Sequence, residues 1–129
     1  MKVLAFTTSI VLCLLMVSAN PTQSQKSQDP CADAQTTAEM RDCAGKEYKQ
    51  ADAELNRVYK QLMSKLEDEG HKAALKNAQQ AWIRYRDTNC EYESYLNRGG
   101  TIYSVIYTGC LTRMTKERTT ELREMLKEN

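Results

Sequence analysis

Three long stretches of helical periodicity, separated by two short breaks, restrict most strongly what this chain can fold into. The first begins near Thr36, where Thr36 and Glu39 form a capping-box pattern, and is predicted to end at Gly70. Its apolar residues recur at three- and four-residue steps, as on one helix face: Met40, Cys43, Ala44, Tyr48, Ala51, Leu55, Val58, Tyr59, Leu62 and Leu66. No stretch shows the sustained alternation typical of strands, so the sequence predicts an all-α fold.

The other two stretches show the same spacing. The second runs from about His71 to Leu96, with one predicted apolar stripe: Leu75, Ala78, Trp82, Tyr85, Tyr92 and Leu96. Residues 97–100 (Asn-Arg-Gly-Gly) break the pattern, and the third stretch opens at Thr101 and continues to about Leu126. Two tight connections between three long helices favour up-down-up order, so we expect a small antiparallel three-helix bundle.

Residues 1–19 have the pattern of a secretory signal peptide. One basic residue, Lys2, precedes an apolar run over residues 3–17, and the small residues Ser18 and Ala19 stand before the predicted cleavage site. The run is short for a membrane span and contains three hydroxyl side chains, so an uncleaved anchor is the weaker alternative. Residues 20–30 are polar, which predicts a flexible leader, and residues 31–129 then form one helical domain.

The chain that remains after cleavage has no net charge. The whole sequence has 18 Lys and Arg side chains against 17 Asp and Glu, and cleavage removes Lys2. The remaining residues include neither a basic run of the kind that binds nucleic acid nor an acidic tail. We therefore expect no nucleic-acid partner, and no stable membrane span once the signal is cleaved.

The cysteine content indicates two disulfides. Four cysteines follow the predicted cleavage site: Cys31, Cys43, Cys90 and Cys110. An even number of cysteines in a short exported chain is typical of a disulfide framework. A zinc site is the alternative, but the cysteines form no CxxC pair and the only histidine, His71, has no cysteine nearby in the sequence. We expect neither a metal nor another cofactor.

Helix geometry favours one pairing of these cysteines. Cys90 and Cys110 lie ten residues either side of position 100, so in an antiparallel hairpin they are at the same height. Cys43 and Cys90 are not level about the first break, which leaves Cys31 to join Cys43. The other two connectivities that four cysteines allow stay open on the sequence alone.

The sequence offers little for catalysis. General acid–base chemistry most often uses histidine, and His71 stands beside a turn glycine and a lysine. Oxidised cysteines provide no thiolate nucleophile, and there is neither a glycine-rich phosphate loop nor a nucleophile elbow. The acidic run at residues 67–69 is typical of a solvated helix end. We therefore expect a protein that is not an enzyme.

Runs of residues on all three predicted helices resemble one family. The most specific are Ala-Asp-x-x-Leu-Asn at residues 51–56 and Ala-Trp-x-x-Tyr-Arg-Asp-x-x-Cys at residues 81–90. The run at residues 36–43 precedes them, and Cys110-Leu111-Thr112 follows. In this order they resemble the LprI-type lysozyme-inhibitor domain of small exported bacterial proteins, over about residues 31–126.

The resemblance implies a periplasmic or secreted protein that binds and blocks lysozyme, a peptidoglycan-cleaving muramidase. A lysozyme or a related cell-wall hydrolase is then the expected protein partner. Two alternatives stay open. One is an immunity protein that neutralises a rival bacterium's cell-wall hydrolase, and the other is an envelope binding or structural module without inhibitory activity.

Several polar residues in these runs are predicted to form a structural network. Asp52 and Arg86 lie 18 and 16 residues from the first break on opposite sides, so they are nearly level and in position to pair. Arg118, level with Trp82, is expected to lie over its ring, and Asn56 lies near the same layer. We interpret this network as fixing the register of the helices rather than as a binding site.

The exposed turns are the better candidates for contact with a target. Arg98, Gly99, Gly100 and Thr101 offer a basic side chain and closely approachable backbone beside the Cys90–Cys110 pair. The cleft of a lysozyme holds two carboxylates, which a rigid loop presenting Arg or backbone N–H donors could occupy. A Gly pair that only turns the chain is the alternative, and residues 69–72 form the second candidate turn.

Overall fold

The computed structural model describes residues 31–128, so the predicted signal peptide (residues 1–19) and leader (residues 20–30) lie outside the described residues. Three α-helices make up the described chain: α1, Thr37–Lys65; α2, Glu69–Ser94; and α3, Tyr103–Glu128. A short 3₁₀ turn, Tyr95–Asn97, continues α2 into the second connection. The prediction of an all-α fold is confirmed, and none of the described helices is long and apolar enough to cross a membrane.

Side-chain caps set where α1 and α2 begin. The Thr36 hydroxyl accepts a hydrogen bond from the Glu39 backbone N–H at 3.2 Å, and the Glu39 carboxylate accepts one from the Thr36 N–H at 2.9 Å. This is the capping box that the sequence predicts. At α2, the Asp68 carboxylate accepts from the His71 N–H at 2.7 Å, which starts the helix at Glu69.

The first helix stops before Gly70, so the predicted end of α1 is wrong by about one turn. The helix ends at Lys65, because Leu66 takes an extended conformation (ψ 131°) and buries its side chain, which is 7% exposed. The Asp68 cap then restarts the helix at once, and Gly70 lies inside the first turn of α2. Burial of Leu66 and the Asp68 cap turn the chain here rather than the glycine.

The helices α1 and α3 run parallel and make the most extensive contact between helices. Two ion pairs join them, Glu47 with Lys116 and Glu54 with Arg123. Both pairs connect residues 69 positions apart, which is the mark of two helices running in the same direction. The bundle therefore has the predicted up-down-up order, with its two outer helices packed against each other.

The helix α2 runs antiparallel to α3 and is fastened to it by a disulfide. The Cys90–Cys110 bond has a Cα–Cα distance of 5.5 Å, and the Cys31–Cys43 bond, which ties the start of the described chain to α1, has one of 5.7 Å. Both predicted disulfides are confirmed. Each closes a loop and so restricts the unfolded chain, which is the usual way in which a small domain with a thin core gains stability.

The core consists of two clusters of buried apolar side chains. The cluster near the α1–α2 connection comprises Leu55, Val58, Leu62, Leu66, Leu75 and Leu122. The cluster near the α2–α3 connection comprises Cys90, Cys110, Leu111 and Met114. The partly buried Trp82 packs against both and so joins them.

The buried face of α2 differs from the predicted stripe. Tyr85, Tyr92 and Leu96 are 61%, 80% and 94% exposed, so their assignment to the core is wrong. The buried residues of α2 are Leu75, Gln79, Arg86, Cys90 and Ser94. Because the disulfide turns Cys90 toward α3, Tyr92, two residues further on, points roughly 200° away around the helix.

Candidate functional site

The indole ring of Trp82 contacts two guanidinium groups. The central guanidinium carbon of Arg86 lies 5.1 Å from the Trp82 ring centroid, and that of Arg118 lies 6.0 Å from it. Both contacts are cation–π interactions. Arg118 Nε also donates a hydrogen bond to Gln79 Oε1 at 3.1 Å, which holds this α3 side chain against α2.

Arg86 links all three helices from a buried position. Its side chain donates from Nε to Asp87 Oδ1 at 2.9 Å and from Nη1 to Thr115 Oγ1 at 3.3 Å. Its guanidinium carbon lies 5.7 Å from the Tyr48 ring centroid. Burial raises the pKa of the Tyr48 phenol, and the nearby Arg86 charge opposes that shift. The group thus acts as a cross-brace between Tyr48 of α1, Trp82 of α2 and Thr115 of α3.

The pairing predicted between Asp52 and Arg86 does not form within residues 31–128. Arg86 pairs with its neighbour Asp87, whereas Asp52 Oδ2 accepts a hydrogen bond from Asn56 Nδ2 at 3.0 Å. The same Asn56 amide donates to the Asp52 backbone oxygen at 2.9 Å, so the exposed Asn56 belongs to the surface of α1 and not to the Trp82 layer. Counting residues from a turn gives the height of a side chain but not its direction around the helix.

A second charged cluster joins α1 to α3. The Glu54 carboxylate accepts hydrogen bonds from Arg57 Nε at 2.7 Å and Nη2 at 2.6 Å, and from Arg123 of α3. The Arg57 hydrogen bonds lower the pKa of Glu54 from 4.5 to about 2; desolvation opposes the shift and Arg123 adds to it. Glu54 and Arg123 line an open groove of about 330 Å³, in which the charged residues pair with one another.

The connection between α2 and α3 is a compact turn held by its own backbone. We call residues 95–102 the hairpin tip. The Arg98 N–H donates to the Tyr95 carbonyl at 3.2 Å, and the Gly100 N–H donates to the Asn97 carbonyl at 3.0 Å. Gly99 has φ +80°, in the left-handed region that favours glycine. Three of the four residues predicted for target contact, Arg98, Gly99 and Gly100, are therefore fixed by this turn, and Thr101 follows them.

Arg98 is an isolated cation on the hairpin tip. It is the only charged residue between Glu93 and Arg113 in the sequence. Its guanidinium carbon lies 4.6 Å from the centroid of the Tyr95 ring, and the side chain is exposed. Within residues 31–128 no carboxylate forms an ion pair with it. Arg98 is therefore oriented by an aromatic ring but keeps its charge available to solvent or a partner.

The hairpin tip extends beyond the start of α1. The offset of 69 residues between α1 and α3 puts Thr37, the first residue of α1, about level with Ile106. The chain from Tyr103 back through the tip lies past that level. The disulfide Cys90–Cys110 braces the two helices behind it. The tip therefore extends past the first turn of α1 on a base braced by a disulfide.

The second candidate turn, residues 69–72, is the first turn of α2. The Lys72 Nζ pairs with Glu69 Oε1 at 2.6 Å, and Asp68 caps the His71 N–H. Its polar groups thus satisfy one another, unlike the cation on the hairpin tip. In the part of the chain that the structure describes, no three His, Cys, Asp or Glu side chains are grouped as metal ligands.

Exposed apolar residues beside the tip were not expected from the hydrophobic periodicity. The predicted stripe placed Tyr92 and Leu96 in the core. The predicted disulfide of Cys90 was evidence in the sequence against that placement. If Cys90 is bridged to α3, helix geometry turns Tyr92 roughly 200° and Tyr85 roughly 140° away from it. The predicted disulfide therefore already contradicted the predicted stripe.

Comparison with known families decides where the chain belongs. The profile of a family described as "Lysozyme inhibitor LprI" matches residues 27–122. The chain belongs to the LprI family. The description of the family is that of a lysozyme inhibitor, and the match includes residues of all three helices and the whole hairpin tip.

The chain is also similar to two further proteins. The "Uncharacterized protein R02472" of Rhizobium meliloti (strain 1021) is 34% identical over 127 residues, covering 89% of this chain and 91% of that protein. A crystal structure of a DUF1311 family protein from Pseudomonas putida KT2440 has a TM-score of 0.68 and 23% identity, covering 73% of this chain and 97% of that one. The second likeness shows the fold.

The runs that carry the LprI resemblance now have structural positions. In the run at residues 81–90, Trp82, Arg86 and Asp87 form the cation–π and ion-pair network, and Cys90 forms the disulfide that braces the hairpin. In the run at residues 51–56, Leu55 lies in the core. These side chains hold the helices together, whereas the hairpin tip faces solvent.

Proposed function

We propose that this LprI-family protein is an exported inhibitor that binds a lysozyme and blocks its cleft with the hairpin tip. Family membership supports the class of target. The observation that carries the contact is Arg98, a single cation on a protruding, disulfide-braced turn. The protein partner is accordingly a lysozyme or a related cell-wall hydrolase.

The chemistry of the tip suits the floor of a muramidase cleft. Glycoside hydrolases cleave their substrate between two carboxyl groups, at least one of them ionised. A guanidinium can meet a carboxylate with two parallel hydrogen bonds. The turn's own hydrogen bonds use the N–H groups of Arg98 and Gly100 but not those of Gly99 and Thr101, which remain as donors to a partner's oxygen atoms.

The backbone of the tip permits close approach. A Cβ atom built on Gly99 would meet no atom within 4 Å, so the space beside this residue is open. Gly99 and Gly100 present no side chain, which lets a partner's surface reach the main chain. The main chain at Gly99 is therefore accessible to a partner's surface.

Rigidity favours tight binding by such a turn. A loop that must be ordered on binding loses conformational entropy, and a loop held in advance avoids most of that loss. The backbone hydrogen bonds, the Arg98–Tyr95 contact and the Cys90–Cys110 bond all restrict the tip before a partner arrives.

The proposal places the protein in the periplasm or outside the cell. The residue pattern at 1–19 is that of a cleaved secretory signal, and the two disulfides are typical of oxidising compartments. An inhibitor exported there is in the compartment where lysozymes act on peptidoglycan.

Inhibition of cell lysis tests the proposal, with Arg98→Glu and Lys72→Glu as matched variants. The chain without residues 1–19 is titrated into a lysozyme acting on a bacterial suspension, and clearing of turbidity is followed. We expect the wild type to inhibit and Arg98→Glu to inhibit more than tenfold less well, because the reversed charge faces the cleft carboxylates. Lys72→Glu, at the other end of α2, should have a smaller effect.

The fold should survive the Arg98 substitution. The exposed contact between Arg98 and the Tyr95 ring contributes about 0.5–1 kcal/mol, so circular dichroism should show wild-type helix content. Equal inhibition by the wild type and Arg98→Glu would exclude the tip as the contact. Failure of the wild type to inhibit any lysozyme would refute the function itself.

A further inference from the structure

An exposed apolar surface adjoins Arg98 at the end of α2. Tyr92, Tyr95 and Leu96 are 80%, 57% and 94% exposed, and we call these three residues the tip facet. Together with Glu93 they line an open groove of about 510 Å³. Large apolar side chains grouped on the surface of a soluble domain mark sites of contact with another molecule.

The fold of the described residues does not require the tip facet. The last turns of α2 contact the core through the opposite face, where Cys90 and Ser94 are fully buried. Leu96, at 94% exposure, buries almost no area on folding and so contributes little to stability. By contrast, the Trp82 ring packs against both core clusters. The facet is therefore available for a role outside the fold.

The charges around the tip facet fit a partner that presents carboxylates. Arg113 neutralises the Glu93 carboxylate, with Nη2 at 2.8 Å from Oε1. Arg98 stays as the cation at the edge of the facet, its guanidinium carbon 4.6 Å from the Tyr95 ring centroid. The surface formed by the facet and the neutralised Glu93 thus combines apolar area with the positive charge of Arg98 at its edge. Its complement is a concave site with apolar walls and carboxylates.

We propose that the tip facet packs against the apolar wall of a muramidase cleft while Arg98 meets the cleft carboxylates. This inference rests on the proposed inhibitor function and extends its contact from the turn onto α2. Binding clefts are lined mainly by apolar and aromatic groups, with a few polar groups that fix orientation. Tyr and Arg are also the residue types that dominate the energetics of protein interfaces. Tyr92 and Leu96 bury apolar area against the cleft wall on binding, and the ion pairs of Arg98 with the cleft carboxylates orient the inhibitor.

Two substitutions in the facet, Tyr92→Ser and Leu96→Ser, test this contact against a matched control, Tyr85→Ser. Tyr85 is likewise an exposed tyrosine of α2, at 61%, but it lies about 10 Å before Tyr92 along the helix axis. Each facet variant should raise the inhibition constant against the muramidase at least tenfold, and the control should change it less than twofold. All three should melt within a few degrees of the wild type, because the replaced side chains are mostly exposed.

The outcomes separate the facet from the inhibitor function. Inhibition by the wild type together with unchanged inhibition by both facet variants would refute the facet and leave the function standing. A loss for Tyr85→Ser as large as that for Tyr92→Ser would refute a contact confined to the tip. A wild type that inhibits no lysozyme would refute the function and this contact together.

Discussion

Arg86 shows what a single buried polar side chain contributes to this domain. It is 6% exposed, and its guanidinium contacts the Trp82 and Tyr48 rings and donates to Asp87 and Thr115. A buried guanidinium is stable only where its donors and its charge have partners, and here the partners come from all three helices. The side chain therefore fixes how the helices face one another.

Substitution of Arg86 should weaken the fold. Arg86→Ala removes two cation–π contacts, the hydrogen bonds to Asp87 and Thr115 and the packing of the side-chain stem, so we expect a loss of about 2–4 kcal/mol in the free energy of unfolding. Asp87, which is 46% exposed, can be solvated once its partner is gone, so no buried carboxylate is stranded. Urea denaturation measures the loss, with the exposed Arg84→Ala as control, expected within about 0.5 kcal/mol of wild type. A loss below about 1 kcal/mol for Arg86→Ala would contradict the role of the network.

At the level of whole elements, α1 packs in parallel on α3, and α3 carries a polar seam of buried threonines beside the core. Thr115 and Thr119 of α3 are buried, and the Thr119 hydroxyl donates back to the Thr115 carbonyl at 2.8 Å. Small residues at such positions allow the helices to approach closely. Outside this seam, Glu54 receives hydrogen bonds from Arg57 on its own helix and from Arg123 on α3.

The contribution of Glu54 to stability should disappear in acid. Its pKa is about 2 in the folded chain against an ordinary value of 4.5, so the contribution is complete above about pH 4.5 and is lost as the pH falls through about 2. The melting temperature of Glu54→Gln should therefore lie below that of wild type at pH 5–7 and converge with it near pH 2. A matched control is Glu124→Gln, since Glu124 pairs with Lys127 on its own helix. A difference between Glu54→Gln and wild type that stays constant down to pH 2 would contradict this account.

The elements also show what could and could not be predicted from the sequence. The Thr36 cap was predictable because it depends on residues three positions apart, and the Cys90–Cys110 bond because an antiparallel hairpin sets the heights of its residues. The direction of each side chain around its helix was not predictable in this way. Apolar periodicity assumes a wholly apolar core, whereas α2 buries Gln79 and Arg86 and exposes its tyrosines. The Asp52–Arg86 pair was wrongly predicted for the same reason: the residue count gave the heights of the two side chains but not their directions around their helices.

For the whole molecule, the contacts that hold the fold and the proposed binding surface lie at different places. The helices are held by two apolar clusters, the Arg86 network and two disulfides, all behind the hairpin tip. The tip itself carries glycines, one cation and exposed apolar side chains that the fold does not need. Family-level identity could be inferred from the sequence runs because they encode the network and a disulfide. The facet was not predicted from the sequence, because Tyr92 and Leu96 share the spacing of a core stripe.

Nuclear magnetic resonance of the ¹⁵N-labelled chain without residues 1–19, titrated with a muramidase, tests whether the hairpin tip and the tip facet contact the enzyme. We expect the backbone amide signals of residues 92–103 to shift or broaden on addition of the enzyme, while those of residues 67–72 at the opposite end of the bundle stay unchanged. Changes confined to residues 67–72, or to the groove beside Glu54 and Arg123, would contradict this contact.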